Sequence, residues 1–216
     1  MSTQLFDKAA ADWDKKPLRL LLAEKVVHAI RAAVPLHRAM NVLEIGCGTG
    51  LVTISLSPLV GRIVATDTST GMLDELKGKI RDLQIDNIEP LPADLAYAPL
   101  APGTFELIYS SMTLHHIKDT LALLSTCHKL LAPGGFIALA DLEKEDGSFH
   151  SDMTGVEHLG FVPAELVALA ASSGFTMPMI HPAHVIVKHD AAGDERRYPI
   201  FLLTAQKMES ENKMVS

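Results

Sequence analysis

A chain of 216 residues with 48% hydrophobic and 21% charged content can bury a substantial core, and it reads as one compact domain. A net charge of −7 argues against non-specific nucleic-acid binding, and two cysteines, Cys47 and Cys127, cannot build a disulfide framework or a cysteine-rich zinc centre. No apolar run reaches the ~18 residues of a membrane span. The first residues, Met1 to Lys8, lack the apolar stretch of a signal peptide, so a cytoplasmic protein without a membrane partner is expected.

The first 16 residues are polar around Phe6 and Trp13 and suit a short helix. Pro17 can open a second helix, in which Leu18, Leu21, Leu22, Lys25, Val26, Ala29 and Ile30 recur at helical spacing as far as about Val34. Pro35 ends it. The strand Val42–Ile45 stops at Gly46, Gly48 and Gly50, and Leu51–Leu56 starts the next helix. Arg62–Thr66 is an uninterrupted apolar strand ending at Asp67, followed by a helix from Thr70 to about Asp82. Ile88–Pro92 is a strand that its two prolines, Pro90 and Pro92, assign to a sheet edge. Phe105–Tyr109 is a fourth strand. A helix follows from Lys118 to Leu131, with Leu121, Leu124, His128 and Leu131 on one face. Pro133-Gly134-Gly135 turns the chain into the strand Phe136–Ala140, which ends at Asp141. Strands alternating with helices at such short spacing predict a parallel, doubly wound α/β sheet. Beyond Asp141 a polar stretch to Gly155 precedes a helix over Phe161–Ser173, with Leu166, Leu169 and Ala170 inward. Val185–Val187 and Ile200–Ala205 read as an antiparallel hairpin around a turn at residues 190–195, and Met208–Ser216 reads as a frayed tail.

The chemistry gathers where strands end. A strand that runs into a glycine-rich turn and then a helix makes a ligand site, because glycines accept positive φ and let backbone approach a ligand. Asp67 lies 21 positions after Gly46, close to the spacing of about 20 at which a carboxylate accepts hydrogen bonds from the vicinal hydroxyls of a ribose. It could equally cap the following helix, and the two roles are compatible. Asp94 stands one strand further on, within reach of an adenine amino group or simply solvated. The glycines alternate, as G-C-G-T-G, which is one residue shorter than a dinucleotide fingerprint. No G-K-S or G-K-T follows, so a P-loop is excluded.

V-L-E-I-G-C-G-T-G at Val42–Gly50 resembles the first motif of the class I S-adenosylmethionine-dependent methyltransferases. A-T-D-T-S-T-G-M-L, A-D-L, F-E-L-I-Y-S-S-M-T-L-H-H-I and L-L-A-P-G-G-F-I-A-L resemble their later motifs, in order, across Ala65–Leu139. The closest flavour is the small-molecule, quinone-biosynthesis-like "type 11" branch. The resemblance implies a Rossmann-like, mostly parallel seven-stranded sheet with the last strand antiparallel and helices on both faces. It implies one methyltransferase domain over residues 1–207: an N-terminal lid to residue 35, a cofactor core over 41–141 and an acceptor side over 142–207. It further implies that Glu44 sits behind a methionyl amino group and that Gly46, Gly48 and Gly50 make room for S-adenosylmethionine, with backbone contacts at Cys47. Asp67 would hold the ribose, Thr68 and Met72 would flank the adenine, Asp94 and Leu95 would meet it from the other side, and Ser110 would lie under the methionine. Trp13 would belong to the lid or simply anchor its helix.

His115 and His116 follow the fourth strand, where an acceptor would approach. Either could serve as a base at neutral pH, or each could pack against the loop backbone. The segment from Asp141 to His158 departs most from the family pattern and is the expected acceptor surface, unless it is a mobile lid with solvated charges. No ligand spacing there indicates a metal. The implied activity is methyl transfer to a small-molecule acceptor. A protein or RNA methyltransferase and a non-catalytic S-adenosylmethionine-binding regulator are the alternatives. S-S-M-T at Ser110–Thr113 replaces the segment expected for methylation of base or glutamine amino groups. Neither the acceptor atom nor the oligomeric state is legible.

Overall fold

The computed structural model describes residues 2–94, 100–190 and 192–209. Helix α1 (Ser2–Ala9) runs into a 3₁₀ segment (Ala10–Lys15), and α2 (Pro17–Ala33) follows. The chain then alternates through β1 (Asn41–Ile45), α3 (Leu51–Leu56), β2 (Arg62–Asp67), α4 (Thr70–Asp82) and β3 (Ile88–Pro92). Next come β4 (Phe105–Ser111), α5 (Thr120–Leu130), β5 (Leu131–Leu142), α6 (Pro163–Ser172), β6 (Thr176–His189) and β7 (Glu195–Gln206). The strands form one sheet in the order β3-β2-β1-β4-β5-β7-β6. The first five are parallel, and β7 runs antiparallel to both of its neighbours. The edge position expected for Ile88–Pro92 is where β3 lies.

Alternation along each strand divides the core in two. Val42, Ile63, Leu107, Tyr109 and Leu202 pack under α2, α3 and α4 with Val26, Ile30 and Leu76. Leu43, Val64, Ile108, Leu139 and Phe201 pack under α5 and α6 with Leu124, Cys127 and Leu166. The chain turns to β2 on one side of β1 and to β4 on the other. A crevice therefore opens between β1 and β4 at their carboxyl ends, the place where open α/β sheets bind ligands.

Several local expectations are corrected. In α5 the inward face is Leu123, Leu124, Cys127 and Leu130, while Leu121 is 46% exposed and Leu131 already belongs to β5. Both stripes have helical spacing; the one without a polar residue at its centre is buried. In α2, Leu22, Ala23, Val26, Val27, Ala29 and Ile30 face the core, but Leu18 and Leu21 do not: Leu18, in the first turn, lines the crevice, and Leu21 is exposed. The late hairpin is far longer than the two short runs expected. Pro178 and Pro182 lie inside β6, an edge strand with register shifts near both prolines, where a missing N–H costs little. Of the proposed tail, residues 210–216 lie outside the described residues.

Candidate active site

The turn after β1 is shaped by glycine for reasons that differ from position to position. Gly46 has φ of 67°, and a Cβ there would stand 2.3 Å from Thr113 Oγ1, so the exits of β1 and β4 touch at this residue. Gly48 has φ of 53° but no atom within 4 Å of a built Cβ, which leaves its backbone bare toward the crevice. Gly50 packs on α4, where a Cβ would meet Leu76 Cδ1 at 2.3 Å. The Cys47 N–H donates to Thr66 O at 2.9 Å, tying the turn to β2, and its buried thiol is held well above the usual range by burial.

Three carboxyls line this end of the crevice: Glu44, Asp67 and Asp94. Glu44 is 1% exposed; its Oε2 accepts from Tyr109 OH at 2.7 Å and from Thr53 Oγ1. Burial pushes this carboxyl up to about 8, against the pull of the Thr53 and Tyr109 hydroxyls. The folded protein therefore holds a proton that the unfolded chain, titrating near 4.5, releases. Stability should fall as pH rises from the unfolded toward the folded value, with a limiting slope of about 1.4 kcal/mol per pH unit. Urea denaturation across that interval should show the slope in the wild type and its loss in Glu44→Gln.

Asp67 is half-buried at the end of β2. Its Oδ2 accepts from Gly48 N at 2.8 Å and its Oδ1 from Ser69 N at 2.8 Å. Burial raises its carboxyl, offset by these N–H donors and that of Thr68. Three backbone donors leave one of the carboxylate's roughly four lone-pair sites for a hydroxyl. The cap of α4 is made by Ser69, whose Oγ accepts from Met72 N at 3.2 Å, so Asp67 is free of that duty. Thr68 and Met72 also line the crevice.

The N-terminal elements close over this end. Asp7 Oδ1 accepts from Ser69 Oγ at 2.6 Å and Gly71 N at 2.9 Å. Asp14 accepts from Thr49 Oγ1 at 2.6 Å and pairs with Lys79, whose ammonium also donates to Thr49 O at 2.8 Å. Thr49 sits in the glycine turn, so the N-terminal 3₁₀ segment is bolted to it directly. Phe6 and Trp13 pack edge to face at 5.8 Å, and the Arg19 guanidinium lies 3.3 Å from the Trp13 ring centre.

The opposite wall follows β4. Met112 has φ of 56°, a left-handed conformation rare for such a side chain, and its N–H donates to Ala140 O at 2.9 Å. This kink aims Thr113 at Gly46. His115 is 1% exposed; its Nδ1–H donates to Asp141 Oδ1 at 2.7 Å and its backbone N–H to Asp141 Oδ2 at 3.1 Å. His116 donates from Nδ1 to Gly155 O at 2.7 Å, because a carbonyl can only accept. Its Nε2 therefore carries the lone pair, and burial together with the neighbouring His115 lowers its pKa, keeping the ring neutral.

Residues 143–161 do not wave free. Their base is zipped through Lys144 N to Phe161 O and Glu145 N to Leu159 O, and Glu157 N and His158 N both donate to His115 O. His158 Nε2 reaches Ile117 O at 2.9 Å. The segment thus carries Phe149 and His150 into the crevice wall, with the His150 ring 4.9 Å from that of His115. Lys188 of β6 stands behind this docked segment, its Nζ donating to Phe149 O at 2.5 Å.

The crevice encloses about 1320 Å³, above the roughly 300–1,000 Å³ of single-ligand pockets, so it has room for two ligands side by side. It brings together Glu44, Gly46, Cys47, Gly48, Asp67, Thr68, Met72, Asp94, His115 and His116. Gly50 supports the turn from outside. Ser110 is not a lining residue. Tyr109 faces the α2–α4 core, so strand parity turns Ser110 to the other face, where its buried hydroxyl has no partner among the described residues. Ser111, Met112 and Thr113 line the crevice in its place. Asp141, grouped with the strand-end acids in the sequence, is buried against His115 and does not face the ligand space. Leu95 lies outside the described residues. Among the described residues no group of three or more histidine, cysteine or acidic side chains could hold a metal ion, and no helix is long and apolar enough to cross a membrane.

Residues 42–135 match the family described as "Methyltransferase domain". The chain is 30% identical over 156 residues to a ubiquinone biosynthesis O-methyltransferase of Xanthomonas campestris, a match covering 69% of this chain and 62% of the relative. It thus spans about three fifths of the length of the curated relatives it matches. Its fold is that of a SAM-dependent methyltransferase from Aquifex aeolicus, with a TM-score of 0.66 and 22% identity, covering 94% of this chain and 97% of that one. It is also that of Haemonchus contortus phosphoethanolamine N-methyltransferase 2, solved with S-adenosylhomocysteine, with a TM-score of 0.72, 16% identity and coverage of 86% and 53%.

Proposed function

We propose that this chain, whose residues 42–135 match the methyltransferase-domain family, is a member of that family and transfers the methyl group of S-adenosylmethionine to a small-molecule acceptor. The observation that carries the reading is a single crevice with two unlike ends. One holds the bare Gly48 backbone and the carboxyls of Glu44, Asp67 and Asp94; the other holds His115, His116 and the docked 143–161 segment. The residues present fit the donor. Asp67 offers an open lone pair to a ribose diol, Glu44 a carboxyl to the amino group, and Met72 an apolar wall to adenine. Residues 1–35 are the lid, 41–141 the donor-binding core and 142–207 the acceptor side.

When bound, S-adenosylmethionine supplies a methyl group on a cationic sulfur that leaves readily. What the chain then contributes is proximity, alignment and exclusion of water by the bolted lid. Where the acceptor carries a proton, His116 takes it on Nε2, because its Nδ1–H is committed to Gly155 O. His115, locked by Asp141, holds the floor beneath it. A small acceptor suits the closed lid better than a protein or RNA strand does. The name of the Xanthomonas relative makes oxygen acceptors the first class to test. The two free, buried cysteines suit the cytoplasm.

Calorimetry with S-adenosylhomocysteine should show saturable binding, and a metabolite pool supplied with labelled S-adenosylmethionine should yield a methylated product by mass spectrometry. His116→Ala should slow that turnover by about 10²-fold with little change in donor affinity; a wild-type rate would dismiss it as the base.

A further inference from the structure

The crevice lining is charged along its length: Glu44, which burial keeps protonated, lies with Asp67 and Asp94 at the donor end, and Asp119 and Asp152 also line the space. The acceptor end carries Lys16 at the start of α2, Arg19 one turn on, and Lys188 from β6, all lining the same space. Among the described residues none of these three takes part in an ion pair. In a chain of net charge −7, these three side chains gather positive charge on one stretch of the crevice wall.

The geometry makes Lys188 a built feature. Its Nζ donates to Phe149 O at 2.5 Å and lies 3.7 Å from the Phe149 ring centre. One of three ammonium donors is thereby used, and two remain. Burial lowers its pKa; Glu145 pulls it up, and Lys16 across the pocket pushes it down. Glu145 Oε2 accepts from Gly147 N at 2.8 Å and Phe149 N at 3.0 Å, while its Oε1 is buried without a hydrogen-bond partner among the described residues, so this carboxyl offsets part of the Lys188 charge. Beside Lys188, His150 Nε2 is buried without a partner among the described residues. Burial, then His115, His116 and Lys188, hold this imidazole down to about 4. Two lysines on separate elements line one crevice and act on each other electrostatically, and an unpartnered imidazole nitrogen lies beside Lys188. Lys188 keeps donors for an anion that enters there.

We infer that the methyl acceptor is an anion, and that Lys188 and Lys16 bind its carboxylate or phosphate group beside His150. The inference rests on the methyltransferase reading and narrows it, because it names the substrate class that the acceptor end selects. Arg19, occupied by Trp13 through its ring face and an NH1 bond to the Trp13 carbonyl at 3.2 Å, adds to the positive charge without being spared for direct contact.

The test uses the full chain loaded with S-adenosylhomocysteine and follows histidine imidazole resonances by NMR. The probes are benzoate, inorganic phosphate and the uncharged benzamide. Benzoate or phosphate should shift His150 saturably and raise its titration midpoint, while benzamide should not. A response to benzoate alone assigns a carboxylate, and one to phosphate alone a phosphate. Lys188→Met and Lys16→Met should each weaken the anion at least about tenfold, with Lys188→Arg retaining most of the affinity. Lys16 is exposed, so its variant remains informative if Lys188→Met unfolds. An equal response to benzamide, or tight S-adenosylhomocysteine binding with no saturable response to either anion, overturns the inference alone. Failure to bind S-adenosylhomocysteine at all overturns the donor reading and the inference with it.

Discussion

Asp141→Ala should destabilise the protein by about 3–5 kcal/mol, read as a lowered urea midpoint at unchanged m-value. Asp141 is fully buried, and its two oxygens accept from three donors: His115 N, His115 Nδ1 and Leu142 N at 2.7 Å. Alanine leaves all three in a space that water does not reach, next to Leu114 and Leu139. The damage should spread along the chain, because His115 O is the anchor for Glu157 and His158. Limited proteolysis should therefore cut residues 143–161 faster in the variant. Asp141→Asn separates stability from positioning. It keeps one acceptor but turns an amide donor toward an N–H, so it should cost less stability while still loosening the His115 ring and slowing turnover. A loss below about 1 kcal/mol in Asp141→Ala would mean that the donors find other partners, and that the pair is not what holds this wall.

How much of this was legible in the sequence depends on how far apart the cooperating residues lie. The β1 turn and Asp67 are local patterns, glycine after an apolar run and an acid after the next one, and they occupy the expected places. Strand alternation could also have been read further: Tyr109 faces the core with Leu107, which assigns Ser111, not Ser110, to the crevice. The His115–Asp141 pair was not legible, because 26 residues separate the partners and only the β4–β5 pairing brings them together. Lys188 was invisible for the same reason. It reaches the site because β7 inserts between β5 and β6, and no local feature of residues 176–189 announces that. The bolts from Asp7 and Asp14 join positions more than 30 apart; only the family resemblance, through Trp13, pointed to a lid over these residues.

Asp67→Ala should weaken S-adenosylmethionine binding by about 1.5–3 kcal/mol, which is roughly ten- to 150-fold in Kd by calorimetry. The magnitude alone would be ambiguous, because Asp67 also receives the Gly48 and Ser69 N–H groups, and removing it could loosen the turn. The ambiguity is resolved by varying the ligand as well. S-adenosylhomocysteine and its 2′-deoxy analogue differ only in a ribose hydroxyl. If Asp67 accepts from the ribose, the wild type should discriminate between the two and Asp67→Ala should not, giving a coupling energy of about 1 kcal/mol or more in the cycle. If the carboxylate serves only the turn, both ligands should lose affinity equally and the coupling should vanish. Unchanged affinity for the complete ligand would remove the ribose assignment outright. The structural case against that outcome is the placement of the carboxylate. Its backbone donors leave the carboxylate a free lone pair, and Asp67 lines the same space into which Gly48 leaves its backbone bare.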